Sequence, residues 1–204
     1  MNAPRAPTHG TNPKLATTFV QAGTDAAALS ANLAGLTPTQ NLSAIILGSH
    51  GSTTISGGAG VNVVNLASST TGTKATITIN AGSTETVILN VGTTADAGSL
   101  QLGNGASVVL SGGITPDHVI FNLVGTGTTA QLGNDIVFNG TILAPQGQFT
   151  SGDGDTPNPV LINGALLFGG SVSIGNNTNL NFYPFAGTSG GSSGGGTSSS
   201  SSAS

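Results

Sequence analysis

VIFNLVG (residues 119–125), NGTILAP (139–145), VLINGALLFGG (160–170) and SVSIGNNTNLNFYPF (171–185) follow one another in the second half of the chain. Each is a short apolar run closed by Gly, Asn or Ser, with almost no charge between runs. Strands this short and this evenly punctuated predict a chain wound into stacked β-coils.

The same grammar extends towards the N-terminus. VNVVNLA (61–67), TVILNVG (86–92), SLQLG (99–103), SVVLSGG (107–113), HVIFNLVG (118–125) and TAQLG (129–133) repeat it. Ala75, Ile77 and Ile79 alternate with Thr76, Thr78 and Asn80, the period of two that buries one face and leaves hydroxyls on the other. The terminal Gly and Asn residues supply the positive φ of tight corners.

Asn65, Asn90, Asn122, Asn139 and Asn163 each follow an apolar residue, at gaps of 25, 32, 17 and 24 residues. That unevenness fits an irregular right-handed β-solenoid with loops of differing length between coils. The competing architecture is a β-sandwich with strands every 8–12 residues or so. Asn139-Gly140 and Asn163-Gly164 favour the solenoid, because they lie inside apolar strings and read as coil corners. An Asn at such a corner can hydrogen-bond its equivalent one coil away.

Before the coils, residues 1–13 hold Pro4, Pro7 and Pro13 with no apolar pattern and read as a disordered leader. Leu15, Phe19, Ala22, Ala26, Leu29, Leu33 and Leu36 then recur at three- and four-residue steps. They predict one amphipathic helix over 14–36, packed alongside the solenoid, covering apolar surface and shielding an open sheet edge or flank. Gly23 and Thr24-Asp25 are where it could be interrupted, and Pro38 follows its end. The solenoid domain is thus expected over 14–186. Residues 187–204 are Gly, Ser and Thr with one alanine, a flexible tether that implies an anchor beyond Ser204.

Composition narrows the function. Only 5% of residues are charged, against about 25% in ordinary soluble domains. The cations Arg5, Lys14 and Lys74 form no basic patch, which argues against nucleic acid and anionic membranes as partners. The absence of cysteine removes disulfides and thiolate metal sites. No apolar stretch reaches transmembrane length.

Taken together, AALSANLAGL (27–36), VNVVNLASS (61–69), ATITINAGSTETVILNVG (75–92), NGTILAPQGQF (139–149), INGALLFGGSVSI (162–174) and NFYPF (181–185) resemble the choice-of-anchor A family of bacterial surface proteins. The resemblance covers roughly residues 25 to 186. It implies export, display at the cell surface and an adhesin-like role, with no catalytic residues to carry over. Family members usually begin with an earlier Gly-rich β segment and end in a sorting signal; here a Pro-rich leader and a Ser-rich tail stand in those places. A looser likeness is to bacterial ice-binding proteins, which are similar in pairing an irregular β-solenoid with a long helix, NGTILAPQGQF resembling their C-terminal coils.

The residues themselves point the same way. Sugar cleavage on β-solenoids needs clustered carboxylates or a strong base, and the acids here are scattered. Asp117 and His118 are adjacent, so on a strand they would face opposite ways. Thr115-Pro116-Asp117 reads as a turn, His118 as the start of a strand, and His50 as part of a flexible loop. No cofactor is expected; the one metal candidate is a weak Ca²⁺ site at Asp153 and Asp155 in a Gly-rich loop. For surface binding the candidates are Thr76, Thr78, Ser171 and Ser173. Each T-x-T-like pair stands alone, and no regular ladder recurs along the sequence. The expectation is a non-enzymatic extracellular module that attaches to a surface, glycan or matrix through flat Thr/Asn/Ser faces, with ice as the alternative ligand.

Overall fold

In the computed structural model, which describes residues 13–187, the chain forms one helix followed by six stacked β-coils. Helix α1 spans Pro13–Ala34. The first coil comprises β1 (Gln40–Leu42), β2 (Ile45–Leu47) and β3 (Ser52–Ser56). The second holds β4 (Val61–Leu66), β5 (Ser69–Thr71) and β6 (Thr76–Asn80), and the third β7 (Thr86–Val91), β8 (Ser99–Leu102) and β9 (Ser107–Ser111). The fourth holds β10 (Val119–Leu123), β11 (Thr129–Leu132) and β12 (Val137–Asn139), and the fifth β13 (Thr141–Ala144), β14 (Gln148–Ser151) and β15 (Val160–Gly164). The sixth holds β16 (Leu166–Phe168), β17 (Val172–Ser173) and β18 (Thr178–Phe182).

Each coil contributes one strand to each of three six-stranded parallel sheets. Sheet A takes the first strand of every coil, sheet B the second and sheet C the third. Parallel stacking throughout excludes the sandwich, whose hairpins need antiparallel neighbours. In sheet A the register runs Val64, Leu89, Phe121, Ile142, Leu166, at steps of 25, 32, 21 and 24 residues.

Strand patterning follows from what covers each face. In sheets B and C one face meets water, and strands such as β11 and β14 alternate exposed and buried residues. In sheet A both faces are covered, and every residue of β7, β10 and β13 is buried. Those strands read as unbroken apolar runs for that reason. Inward residues of all three sheets form a single core, where Phe121 meets Phe138 at 5.1 Å and Phe149 meets Phe168 at 5.3 Å. Burying side chains of this size contributes about 1.5–3 kcal/mol each.

Helix α1 is continuous through Gly23, with the Thr24 hydroxyl donating back to the Val20 carbonyl at 3.0 Å. Ala26, Leu29, Leu33 and Leu36 pack on Val63, Ile88, Ile120 and Leu143, the outward residues of sheet A. The helix therefore covers apolar surface as expected, and what it covers is the outer face of sheet A. Its stripe is only half used, because Phe19 and Ala22 are exposed.

Corners follow a rule of their own. Gly72, Gly103, Gly133, Gly152 and Gly175 stack at the turn from sheet B to sheet C, one in each coil from the second to the sixth. A Cβ on Gly103 would lie 2.6 Å from the Gly72 carbonyl, and one on Gly175 would lie 2.5 Å from the Gly152 carbonyl carbon. Backbone passes backbone there with no room for a side chain. Asn139-Gly140 and Asn163-Gly164 are corners too, from sheet C to sheet A, with φ of 135° and 156° at the glycines. Asn163 Nδ2 donates to Asn139 Oδ1 one coil below at 2.9 Å, the expected rung.

The asparagines nevertheless belong to two ladders. Asn65, Asn90 and Asn122 line sheet A, whereas Asn139, Asn163 and Asn181 line sheet C. The gap of 17 residues between Asn122 and Asn139 is a passage between sheets, not a coil. The predicted leader lies outside the described residues up to position 12, with Pro13 already in the helix, and the predicted tether lies outside them from 188 onward.

Candidate surface-binding faces

None of the strands contains Asp, Glu, Lys, Arg or His. Among the described residues, charge is confined to corners and the helix. Lys74, Asp135, Asp153 and Asp155 sit at the B-to-C corner, Glu85 and Asp117 at the C-to-A corner, and Asp96 at the A-to-B corner. The faces between corners are neutral planes. With sheet A under the helix, the outer faces of sheets B and C are the two planes open to a ligand.

Sheet C gathers Ser52, Thr54 and Ser56 of β3 over Thr76, Thr78 and Asn80 of β6, and these over Ser107, Val109 and Ser111 of β9. Thr76 and Thr78 thus join a hydroxyl-rich array assembled across coils. Its polar groups are partly engaged with one another. The Thr76 and Ser107 hydroxyls are 3.4 Å apart, and Ser111 Oγ donates to Asn80 Oδ1 at 3.0 Å. Higher on the same face, Val137 and the bonded Asn139–Asn163–Asn181 ladder replace the hydroxyls.

Sheet B carries two outward rows. Ser99, Thr129 and Gln148 lie in register, and Ser171 continues them just before β17. Ile46, Thr70, Gln101, Gln131, Thr150 and Ser173 form the second row. Neighbours lie about 4.8 Å apart between coils and about 6.6 Å apart along a strand. The polar side chains of both rows form no hydrogen bond to any other described residue, so their donors and acceptors face outward unspent. Ser171 and Ser173 belong here, and the structure does not bring them together with Thr76 and Thr78.

The sequence reading missed Thr70, Ser99, Gln101, Thr129, Gln131, Gln148 and Thr150. Each strand supplies only one or two of them, and the row forms only across coils. Aligning TAQL of β11 with SLQL of β8 would have exposed the repeat.

Asp153 and Asp155 are exposed at the B-to-C corner and serve as rungs. Asp153 Oδ1 accepts the Asn176 N–H at 2.6 Å, and the Asp155 N–H donates to Asp135 Oδ1 at 3.1 Å. Among the described residues no group of three or more His, Asp or Glu side chains could hold a metal ion together. His50, expected in a flexible loop, occupies the B-to-C corner of the first coil. It has φ of 60°, and its N–H donates to the Thr73 carbonyl at 2.9 Å.

Asp117 and His118 also depart from expectation. The expected turn at Thr115-Pro116-Asp117 is a 3₁₀ turn over Pro116–His118 that takes in His118 instead of releasing it to the strand, so the two side chains meet at 3.4 Å between Asp117 Oδ1 and His118 Nδ1. The Thr115 hydroxyl bonded to Asp117 lowers its pKa most, and partial burial opposes this. The neighbouring His118 lowers it further. The pair pins a corner; the Asp117 carbonyl accepts the Ala186 N–H at 2.8 Å.

Between the helix and the A-to-B corners lies a groove of about 470 Å³, lined by small and apolar residues such as Ala27, Ala31, Leu123 and Val124. It holds no titratable side chain. No helix of the described chain is long and apolar enough to cross a membrane.

Among curated proteins, none matches the chain. A family model described as "Putative Ice-binding-like adhesive domain" matches residues 2–158, which takes in the helix and the coils through β14. Three parallel sheets, one covering helix and two neutral planes suit such a domain, and the chain belongs to this ice-binding-like adhesive family.

Proposed function

We propose that the chain is a non-enzymatic adhesive module that grips an extended, uncharged surface through the outer face of sheet B. The observation that carries this reading is the pair of in-register rows from Thr70 to Ser173, whose hydroxyls and amides are unspent inside the protein. A flat plane gives each side chain one weak contact, and many contacts on one rigid scaffold add up because little order is lost on binding. Work at a cell surface or outside the cell agrees with the adhesive family and with the resemblance to choice-of-anchor A proteins.

Ice is the second reading. It is favoured by the lattice-like spacing of the rows, since a periodic plane suits a periodic solid, and by the family's ice-binding-like character. The same preparation tests both. The chain and its Gln131→Lys and Thr129→Lys variants are compared for incorporation into slowly grown ice and for retention on glycan, collagen and abiotic surfaces. Retention above an inert protein on at least one surface, lost in both variants but kept in Thr78→Lys, is the expected result. Absence of retention everywhere overturns the adhesive reading. Retention confined to non-ice surfaces removes ice alone.

A further inference from the structure

Beyond β18 the described chain turns back and descends the stack along the corner between sheets C and A. The Tyr183 N–H donates to the carbonyl of Gly164, the last residue of β15 in the fifth coil, at 3.1 Å. The Ala186 N–H donates at 2.8 Å to the carbonyl of Asp117, just ahead of the fourth coil. Gly187 then lies against Thr86, the first residue of the third coil, so closely that a Cβ on it would fall 2.6 Å from Thr86 Cγ2. At about 3.3 Å per extended residue, the four steps from Tyr183 to Gly187 match a descent of about three coils at about 4.8 Å each.

Between its two hydrogen bonds this strap is held by a side chain. Phe185 is half-buried and packs on the cluster of Leu33, Val63, Ile88, Ile120 and Leu143, where the helix meets the outer face of sheet A. Helix α1 descends the same face in the same direction, since the Ser30 carbonyl bonds to Asn122 of the fourth coil and the Leu33 carbonyl to Asn90 of the third. The acceptor at Asp117 is itself fixed, because it belongs to the 3₁₀ turn that the contact with His118 pins.

The strap changes where a pull would enter the fold. Strand β18 pairs only with β15, through five residues in register. Tension arriving directly at Phe182 would meet the end of that ladder and open it pair by pair. Tension arriving through Gly187 is met first at the third and fourth coils, and β18 feels it only after the strap has let go. We propose that Tyr183–Gly187 is a mechanical clasp, which takes tension from the C-terminal side into the middle of the stack and spares the sixth coil. The corner it occupies joins sheets C and A and is the one that sheet B does not touch, so the pull is received away from that face. The clasp needs no ligand, and it stands or falls separately from the adhesive reading.

Because the chain has no cysteine, thiol handles can be placed at will on the full-length protein. Unfolding at constant force is measured in two geometries. Handles at Ser52→Cys and Ser204→Cys pull through the clasp; handles at Ser52→Cys and Ser173→Cys bypass it. Ala186→Pro removes the N–H that the Asp117 carbonyl accepts, and Phe185→Ala removes the ring, with each variant's thermal melt used to confirm that it folds. Through the clasp, each is expected to quicken the first rupture by roughly tenfold, since forced opening follows the barrier that these contacts raise. In the bypass geometry the same variants are expected to rupture at close to the unmodified rate. Equal quickening in both geometries would make the strap an ordinary stabilising contact, and no quickening in either would mean that it carries no tension; each result overturns the proposal.

Discussion

Asn122 donates from Nδ2 to Asn90 Oδ1 across 2.9 Å, one coil to the next, beneath helix α1. Asn90 passes the bond on to Asn65 Oδ1 at 3.1 Å and also donates to the Leu33 carbonyl at 2.9 Å. Asn122 donates to the Ser30 carbonyl at 3.0 Å, and Ser30 Oγ returns a bond to Asn122 Oδ1 at 2.6 Å. The helix has no basic residue in its last turn, so the asparagine ladder supplies donors where free carbonyls gather.

Asn90→Ala takes the shorter bond from the Leu33 carbonyl, which keeps only the Leu36 N–H at 3.3 Å, and leaves Asn65 Oδ1 without its donor. The expected cost is about 1–3 kcal/mol, a fall in Tm of roughly 3–10 °C for a domain of this size. A melting curve coincident with the unmodified chain would show that the ladder adds no net stability.

Gly133→Ala places a methyl 2.5 Å from Asn104 Oδ1 and 2.7 Å from the Asn104 nitrogen. Overpacking against the neighbouring coil is expected to cost about 1–3 kcal/mol, read as a lower denaturant midpoint at unchanged slope. Gly23→Ala, on the exposed helix face with nothing within 4 Å, is expected to be neutral or stabilising by up to about 1 kcal/mol. Equal effects at the two positions would remove the steric account of the glycine column.

Gln131→Lys changes an exposed side chain with no internal hydrogen bond, so stability should move by no more than about 0.5 kcal/mol. Surface retention should fall at least tenfold, because an ammonium brought against a neutral plane must be desolvated without a partner. Loss of binding accompanied by an equal loss of fold would make this variant uninformative about the face, and Thr150→Lys supplies the independent copy of the test.

Asp117 should titrate below the ordinary aspartate value of about 3.9, because its charged form accepts from Thr115 and faces His118. A folded pKa below the unfolded one adds stability that is present above the unfolded value. That stability is lost as pH falls through the folded value. Carbon-detected NMR titration reads the midpoint directly, and Thr115→Ala is expected to move it up. An unmoved midpoint would assign the depression to His118 instead.

The coils were legible in the sequence because strand periodicity is local. TITIN of β6 alternates and VIFNL of β10 does not, and this difference already separates a half-exposed strand from one buried on both faces. The lower half of the helix stripe was equally plain. The Asn139-Gly140 and Asn163-Gly164 corners were read correctly, because glycine at positive φ is a property of one residue.

What stayed hidden depends on register. The asparagines looked like one ruler and are two ladders, since an Asn does not declare which sheet it lines. Thr115-Pro116-Asp117 was legible as a turn, but His118 was read as a strand start, and the 3₁₀ turn extends through it and lets the two side chains meet. The rows of sheet B were invisible because Gln101, Gln131 and Thr150 are far apart in the chain and adjacent only after coiling. Sequence by itself set the winding, the neutral faces and the covering helix, because each follows from which side of a strand or helix is apolar. Tertiary structure alone decided which hydroxyls and amides share a plane and which of them are spent on one another. Those depend on the offset between coils, and corner length rather than strand pattern fixes that offset.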